Sequence, residues 1–325
     1  MPTYNHDRYL EHALRAHLVQ RVPPDEVIVV DDASTDSSGE ILARLVAAHP
    51  AIRVLRQTQN RGVNQAVAAG LREARGEYVC LSAADDLVAS ELIARSVEIL
   101  ARHPAAAFSF CDQGILVGDS GETRRFPLFL SDQPCFIGPG GFVRLLKRNA
   151  FTFASHSVIY RREALVSVGG VLDELRWLAD WFALHVLALR RGACYIPETL
   201  AFFRVTPGSY SAAGPREASS QRDVLQRAIG LLETTAYRDV RASFRECAVL
   251  PEYRLRIIPW LITSPPHRNY VTPRLLARVL LRSAWRTLMP WLPIRFRWAL
   301  RWIASAATRR RLARDRAAPD TRPAT

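Results

Sequence analysis

The sequence predicts an α/β fold in which helices flank a mostly parallel sheet. Short apolar runs rich in β-branched residues alternate with segments of helical periodicity through the first two hundred residues. Strands that alternate with helices of about 10–15 residues indicate βαβ units and a parallel sheet. Two of the runs are followed at once by pairs of aspartates, and ligands of such sheets bind at the carboxyl ends of the strands.

The elements can be predicted in order from the amino end. Apolar periodicity predicts helices over 9–18, 41–46, 64–73 and 87–103, and β-branched runs predict strands over 26–30, 52–55 and 77–82. The run 26–30 is apolar at nearly every position, which favours a strand buried on both faces. Residues 113–141 contain many Gly, Pro and Asp, so we expect a long loop region there. A strand over 157–160 and helices over 181–190 and 224–232 complete the pattern.

The positive charge of the protein lies in the last third of the chain. Residues 1–214 carry 22 Lys and Arg against 23 Asp and Glu, whereas residues 215–325 carry 22 against 8, a net charge of +14. A stretch rich in Gly, Ser and Pro, 207–215, separates the two parts. We therefore predict two regions, an α/β domain over 1–214 and a helical, Arg- and Trp-rich basic extension over 215–325.

Cysteine usage and hydropathy indicate the compartment. The five cysteines are odd in number and none has CxxC spacing, so we expect reduced thiols in a cytoplasmic protein and no zinc site. The chain contains no run of about 18 uncharged apolar residues, and we predict no transmembrane helix.

The acidic pairs are the first candidates for chemistry. Asp31-Asp32 follows the run VIVV, and Asp85-Asp86 follows EYVCLS, so both pairs are expected at one edge of the sheet. A structural interpretation is also open for each. Asp32 or Asp36 could cap the helix over 41–46, Asp85-Asp86 could cap a helix that begins at Leu87, and Asp180 could cap the helix that it begins.

Six segments occur in a fixed order along the chain. They are PTYN at 2–5, VVDDASTD at 29–36, NRG at 60–62, LSAADD at 81–86, LADW at 178–181, and the stretch from FRVT at 203–206 to Ser211. Together they resemble the motifs of glycosyltransferase family 2, whose fold is called GT-A. Each motif alone is weak, but six in the family's order make a strong signal. The resemblance extends over 2–211 and implies that 1–214 is a GT-A domain.

The resemblance implies an inverting transfer of a sugar from a nucleotide-diphosphate donor to a hydroxyl. It implies donor-binding roles for Thr3, Tyr4, Asn5, Asp31, Asp32, Asn60, Asp85 and Arg204. Asp86, with Asp85, would hold a divalent cation, Mn²⁺ or Mg²⁺, because the leaving diphosphate needs positive charge beside it. Asp180 would be the general base that deprotonates the acceptor hydroxyl.

Two further residues are candidates for acceptor contacts. His156 could contact the acceptor or phosphates, and Trp181 could contact the acceptor. The alternative for a lone histidine such as His156 is a structural role, and Arg204 could be a surface arginine rather than a partner of the diphosphate.

The sequence departs from the family pattern in three places. The family has an apolar strand before PTYN, whereas this chain starts at Met1-Pro2, so we expect a truncated first strand and a protein that folds poorly or is weakly active. Ala179 stands where many members have an acid before the catalytic aspartate. Thr206 occupies the position of a late histidine, which puts one phosphate or metal contact in doubt.

The basic extension indicates a negatively charged partner. Residues 253–314 hold 14 arginines and no acid, with five tryptophans among them. This composition suits helices on an anionic membrane surface; nucleic acid is the rival partner, and packing on the domain is a third interpretation. We favour the membrane, since the resemblance is consistent with a lipid-linked acceptor.

These observations predict an enzyme of polysaccharide or glycolipid synthesis that uses a glycan or lipid-linked acceptor. We expect it to be cytoplasmic and peripheral on the inner face of the cytoplasmic membrane. The alternatives are a catalytically inactive binding or accessory protein of the same fold, and a nucleic-acid-binding protein that acts through its basic tail.

Overall fold

The computed structural model describes residues 1–118, 121–148, 153–205, 218–247, 258–264, 267–277 and 280–281. Within these ranges helices flank two β-sheets, which confirms the α/β class. The smaller sheet is parallel and has the order β1-β2-β3. Its strands are β1 (Pro2–Thr3), β2 (Val27–Asp31) and β3 (Ile52–Arg56), and helices α1 (Asp7–Leu18), α2 (Ser38–Ala48) and α3 (Val63–Glu73) lie between or after them.

Strand β2 is buried at every position, as its apolar run predicts. Val27 and Val29 lie in one apolar cluster with Leu10 of α1 and other side chains of α1 and α2. Ile28 and Val30, on the opposite face, lie in another cluster with α3. The alternation of side chains along a strand therefore places a helical layer on each face of this sheet.

Strand β1 is only two residues long. Pro2 lies opposite Val30 and Thr3 lies opposite Asp31, and the amino group of Met1 donates a hydrogen bond to the carbonyl oxygen of Ile28 at 2.8 Å. Strand β1 therefore pairs with the carboxyl half of β2 alone.

The larger sheet has seven strands in the described residues. They are β4 (Tyr78–Cys80), β5 (Leu87–Val88), β6 (Phe108–Val117), β7 (Glu122–Phe126), β8 (Cys135–Ile137), β9 (Val158–Arg161) and β10 (Ala193–Val205). The order is β4-β9-β6-β10-β5, with β7 on β6 and β8 on β10. Only β6 and β10 pair in parallel; the other pairs are antiparallel. This sheet is mixed because connections as short as that from β6 to β7 allow antiparallel pairing only.

The remaining helices follow β5 along the chain. They are α4 (Leu92–Arg102), α5 (Pro139–Arg148), α6 (Arg162–Ser167), α7 (Ala179–Arg191), α8 (Ala218–Glu233), α9 (Arg238–Glu246) and α10 (Ile258–Thr263). Phe182 of α7, Ile229 of α8 and Phe244 of α9 belong to one buried apolar cluster. Helices α8 and α9 therefore share a core with α7. The predicted boundary at 214/215 and the stretch 207–215 lie outside the described residues.

The long loop predicted over 113–141 is wrong. Strand β6 continues to Val117, β7 and β8 follow, and α5 begins at Pro139. The glycines of this region mark a turn, since Gly118 and Gly121 have φ of 54° and 73°. Strand β7 reads ETRRF and is mostly exposed, so its pairing with β6, rather than any apolar pattern, makes it a strand.

The helix predicted to begin at Leu87 begins instead at Leu92. Leu87 and Val88 form β5, opposite Phe202 and Ala201 of β10. Because five residues separate Asp86 from the helix, Asp85-Asp86 do not cap it. The structural interpretation of this pair is therefore wrong.

The five cysteines are free thiols. Among the helices of the described residues, none combines the length and the apolarity that crossing a bilayer requires. Most of the basic segment 253–314 lies outside the described residues.

Candidate active site

A cavity of about 880 Å³ lies beside the carboxyl ends of β1 and β2 and the loop that follows β4. Most of the residues that the sequence singles out line it. They are Thr3, Tyr4, Asp32, Asn60, Asp85, Asp86, His156, Asp180, Trp181 and Arg204. The fold thus brings residues from separate strands, loops and helices into one cavity, whereas Asn5 and Asp31 are not among its lining residues.

Asp31 and Asn5 hold the loop beside the cavity. The carboxylate of Asp31, 1% exposed, accepts a hydrogen bond from the Ser34 N–H at 2.9 Å and pairs with the guanidinium of Arg56 at 3.2 Å. The side-chain oxygen of Asn5 accepts one from the Thr35 N–H at 2.8 Å. Both side chains therefore fix the segment 31–36. The roles of Asp31 and Asn5 in binding a nucleotide donor stay predictions.

Asp32 organises the turn that begins α3. Its two carboxylate oxygens accept hydrogen bonds from the backbone N–H groups of Arg61 and Gly62, each at 2.8 Å. Gly62 has φ of 90°, a conformation that strains any residue with a Cβ. At the start of α2, Asp36 rather than Asp32 accepts a hydrogen bond from the Ser38 N–H, at 3.0 Å, while Ser37 is the N-cap residue.

Arg204 holds the loop that carries Asp85 and Asp86. Its backbone N–H donates to Oδ1 of Asp86 at 2.9 Å, and its side chain donates to the carbonyl oxygens of Asp85 and Gly118 at 3.1 and 2.6 Å. The guanidinium also lies 4.3 Å from the ring centre of Tyr9, within cation–π range. Arg204 lines the cavity and positions this loop at the same time.

The carboxylate of Asp86 is suited to a cation. Asp86 is 7% exposed, and burial, followed by the charge of Asp85, raises its pKa to about 7. A bound divalent cation would offset the cost of this buried charge. Mg²⁺-type ions are commonly held by about one or two carboxylates while substrate phosphates and water complete the shell. The pair fits such an ion; within the described ranges no cluster of three or more His, Cys, Asp or Glu could hold a metal.

Asp180 lies in the first turn of α7, on an element separate from the Asp85-Asp86 loop. Its carboxylate accepts a hydrogen bond from the Trp181 N–H at 2.6 Å. Burial raises the pKa of Asp180, while a hydrogen bond from Ser155 opposes the shift. A carboxylate with a raised pKa is a stronger base than an exposed one, so this position can accept a proton from a hydroxyl.

Aromatic rings line the cavity near Asp180. The ring of His156 lies 5.0 Å from that of Phe203, and its Nε2 atom is buried without a hydrogen-bond partner in the described residues. Burial lowers the pKa of His156 to about 4, so the ring is neutral at pH 7 and can exchange a hydrogen bond but carries no charge. The ring of Trp181 lies 4.1 Å from that of His185.

The cavity is also lined by residues that the sequence does not identify as site residues. They include His6, Gln113, Phe153, Ser155 and Phe203. Three of them adjoin a residue that was singled out, since His6 follows PTYN, Ser155 precedes His156, and Phe203 precedes Arg204. Gln113 lies in the segment predicted to be a loop, which is β6 in the structure, and the pairing of β6 with β10 places it beside the cavity.

Helix α3 links the Asp32 side of the site to the Asp180 side. The side-chain amide of Asn64 donates to the carbonyl oxygen of Arg176 at 2.8 Å. Arg176 has φ of 47° and lies in the short helical segment Asp173–Leu178 directly before α7, a strained conformation for a residue with a Cβ. Because Asp32 fixes the start of α3, one short helix positions both sides of the cavity.

Replacing Asn64 by Ala is expected to lower the free energy of unfolding by about 1–3 kcal/mol, because the Arg176 carbonyl loses its buried donor. Asn64 is 8% exposed. The free energy of unfolding is measured by urea denaturation. The matched control is Gln65→Ala, which removes an exposed hydrogen bond from the same helix to Asp173. This control should lower the free energy of unfolding by less. Equal losses for the two variants would contradict the proposed link.

Comparison with known proteins agrees with this geometry. The model of the family described as glycosyl transferase family 2 matches residues 1–169. An uncharacterised protein of Mycobacterium tuberculosis is 32% identical over 207 residues, which cover 62% of this chain and 56% of that protein. This chain thus spans little more than half the length of that relative.

Solved structures show the same fold. The S. aureus protein TarS, solved in complex with UDP-GlcNAc, matches with a TM-score of 0.60 and 15% identity, covering 96% of this chain and 88% of TarS. The mannosyltransferase PcManGT from Pyrobaculum calidifontis was solved with GDP-Man and Mn²⁺. It matches with a TM-score of 0.57 and 22% identity, covering 95% of this chain and 85% of PcManGT. The fold is therefore the GT-A fold, and with the family model matching more than half of its length, the chain belongs to glycosyl transferase family 2.

Proposed function

We propose that this protein transfers a sugar from a nucleotide-diphosphate donor to a hydroxyl of a glycan or lipid-linked acceptor, with inversion at the anomeric carbon. One observation carries the proposal. A single cavity is lined by Asp32, by the Asp85-Asp86 pair and by Asp180, which come from different elements of the fold. The transfer needs groups that hold the donor, groups that face its diphosphate, and a base for the acceptor.

The donor is assigned to the side of the cavity near β1. Thr3, Tyr4, Asp32 and Asn60 line this side and would hold the nucleotide. Asp86, with Asp85, would hold Mn²⁺ or Mg²⁺, and the bound cation would stabilise negative charge on the leaving diphosphate. The GDP-Man and Mn²⁺ bound by PcManGT support a donor and a metal of these classes.

Asp180 is assigned the role of general base. A hydroxyl has to lose its proton as it attacks the anomeric carbon, and the raised pKa of Asp180 suits that transfer. Direct attack by the acceptor in one displacement inverts the anomeric configuration. His156 and Trp181, which line the cavity with Asp180, would contact the acceptor.

The rate of transfer is expected to rise with pH through the ionisation of Asp180. Only the ionised carboxylate accepts a proton, and burial raises its pKa above the ordinary value of 3.8. The ionised fraction therefore increases over a pH window that begins above that value. The measurement is kcat/KM from about pH 4 to 8 at saturating metal. A rate that stays constant down to the acidic end would contradict the assignment.

The basic extension is assigned to the membrane. Its 14 arginines without an acid over 253–314 suit anionic headgroups, which would keep the enzyme on the inner face of the cytoplasmic membrane beside a lipid-linked acceptor of polysaccharide or glycolipid synthesis. Flotation with anionic liposomes should carry the full chain and not a chain that ends at residue 281, which keeps the buried side chains Leu261, Tyr270 and Leu275. Equal flotation of the two would contradict the assignment.

Incubation with a panel of nucleotide sugars tests the function directly. One donor should raise the melting temperature in the presence of Mn²⁺ or Mg²⁺, and the same donor should be hydrolysed or transferred. Stabilisation by a donor without any turnover, with acceptors supplied, would favour the inactive binding protein instead.

A further inference from the structure

One face of the larger sheet continues from the candidate active site across three strands. Phe203 of β10 and Gln113 of β6 line the cavity. Phe203 lies opposite Ile115 of β6, and Ile115 lies opposite Arg124 of β7. Side chains at opposed positions of neighbouring strands, and at alternate positions of one strand, project from the same face. Phe203, Ile115 and Arg124 therefore form a row on the face that lines the cavity.

The row adjoins the assigned base at one end. The ring of Phe203 lies 5.0 Å from that of His156, and His156 lines the cavity with Asp180. Neighbouring strands lie about 4.8 Å apart, so the row extends about 10 Å from β10 to β7. A ligand that lies along this row and also reaches the cavity has to be longer than a single sugar ring.

The middle of the row is uncharged and partly exposed. Phe203 and Ile115 are half-buried, and His156 is neutral at pH 7 because burial lowers its pKa to about 4. The same face carries polar side chains on either side of the row, Gln113 opposite Phe126 and Glu122 opposite Val117. An aromatic ring with polar neighbours suits a sugar, whose C–H face packs on the ring while its hydroxyls bond nearby polar groups.

The far end of the row carries a positive charge. The side chain of Arg124 is 62% exposed, and its Nε–H donates to the carboxylate of Glu122 at 3.0 Å. Water screens an exposed pair of this kind, so Glu122 competes weakly with another anion. The carboxylates of the cavity, by contrast, repel an anionic group. A negative charge on a bound ligand is therefore favoured at Arg124 and disfavoured beside Asp180.

We propose that this row binds the acceptor and that the acceptor is a glycan with a phosphate or a carboxylate. The anionic group would lie on Arg124 and a sugar ring on Phe203. The inference rests on the proposed transfer of a sugar and names the class of its acceptor. A guanidinium donates two parallel hydrogen bonds to a phosphate or carboxylate, which makes the contact strong and selective. Arg124 would thus determine the preference for charged over neutral glycans.

A purely structural role for Arg124 is separable from this one. Charged side chains on edge strands hinder pairing with another chain, and among the described strands β7 pairs with β6 alone. Arg125 is also exposed, but it lies opposite Gly114 and so projects from the other face of β7. Both arginines would protect the edge equally, whereas only Arg124 belongs to the row. Arg125 is therefore the matched control.

The binding of charged glycans to the full chain tests the proposal by calorimetry. The probes are pentamannose phosphate and a hyaluronan tetrasaccharide, each compared with a neutral counterpart, pentamannose and the methyl ester of the tetrasaccharide. At least one charged probe should bind at least about tenfold more tightly than its counterpart. Arg124→Ala should weaken the binding of that probe by at least about tenfold, and Arg125→Ala by less than about twofold. Melting temperatures check that both variants fold.

Glu122→Gln gives a change of the opposite sign. Because it removes the carboxylate that competes for Arg124, it should tighten the binding of the charged probe by about two- to fivefold. Weaker binding by this variant would contradict the proposal. Equal affinity for charged and neutral probes, or equal losses in the two arginine variants, would overturn it. If farnesyl phosphate binds through Arg124 more tightly than both charged glycans, the anion site serves a lipid and the proposal fails.

These measurements need no donor and no turnover, so they separate this inference from the proposed function. A chain that transfers sugar but binds charged and neutral glycans alike would refute the inference alone. A chain that binds a charged glycan through Arg124 but transfers no sugar to any acceptor would refute the proposed function and leave the glycan site in place.

Discussion

Replacing Asp180 by Asn is expected to lower the rate of sugar transfer by about 10²–10⁴-fold, the usual contribution of a general base. The amide has the shape of the carboxylate, and its oxygen can still accept the hydrogen bond that the Trp181 N–H donates at 2.6 Å. Donor binding should therefore persist, so the loss should fall on kcat. The measurement is steady-state transfer, with the dissociation constant of the donor determined by calorimetry.

The stability of the Asp180→Asn variant separates lost chemistry from misfolding. Because burial raises the pKa of Asp180 in the folded state, the unfolded chain ionises more readily, and the free energy of unfolding falls as pH rises above the ordinary value of 3.8. Removing this charge should thus preserve or raise the melting temperature at pH 7. Asp173→Asn, at an exposed position before α7, is the control, and comparable activity in the two variants would refute the assigned base.

Replacing Asp86 by Asn is expected to lower the rate of transfer by at least about 10²-fold. The substitution removes the carboxylate that would hold the cation beside the donor diphosphate. The amide oxygen can keep the hydrogen bond from the Arg204 N–H at 2.9 Å, so the loop should retain its place. The increase in melting temperature that the nucleotide diphosphate and Mn²⁺ produce together should disappear.

The control for Asp86 is an aspartate outside the cavity. Asp7→Asn changes an exposed carboxylate in the first turn of α1 and should retain both transfer and the metal-dependent stabilisation. If Asp86→Asn responds to Mn²⁺ and the diphosphate as the unaltered protein does, Asp86 does not hold the cation.

Two departures from the family pattern are Ala179 and Thr206, and the structure describes only the first of them. Ala179 is the first residue of α7 and is 2% exposed, so its side chain is packed in the core and does not line the cavity. Thr206 lies outside the described residues. The carboxylates that carry the proposal, Asp32, Asp86 and Asp180, are all present.

The sequence by itself determined the elements from α1 to β4. Strands β2 and β3 and helices α1 to α3 follow from local patterns, because each buries a continuous apolar face that its own residues define. The order of motifs likewise determined the family and the residues at the strand ends. Asp32, Asp85 and Asp86 fall beside the cavity because the carboxyl ends of strands in such a sheet meet at one edge.

Only the tertiary structure decided the rest. Strands β5 and β7 have no local pattern and exist through pairing with β10 and β6, since a strand edge supplies hydrogen-bond partners that sequence alone does not reveal. The same packing decided that Asp32 holds the turn before α3 rather than capping α2, and that Asn64 supports the segment before Asp180. Each of these depends on which elements become neighbours, and that is set by the burial of whole faces rather than by any one segment.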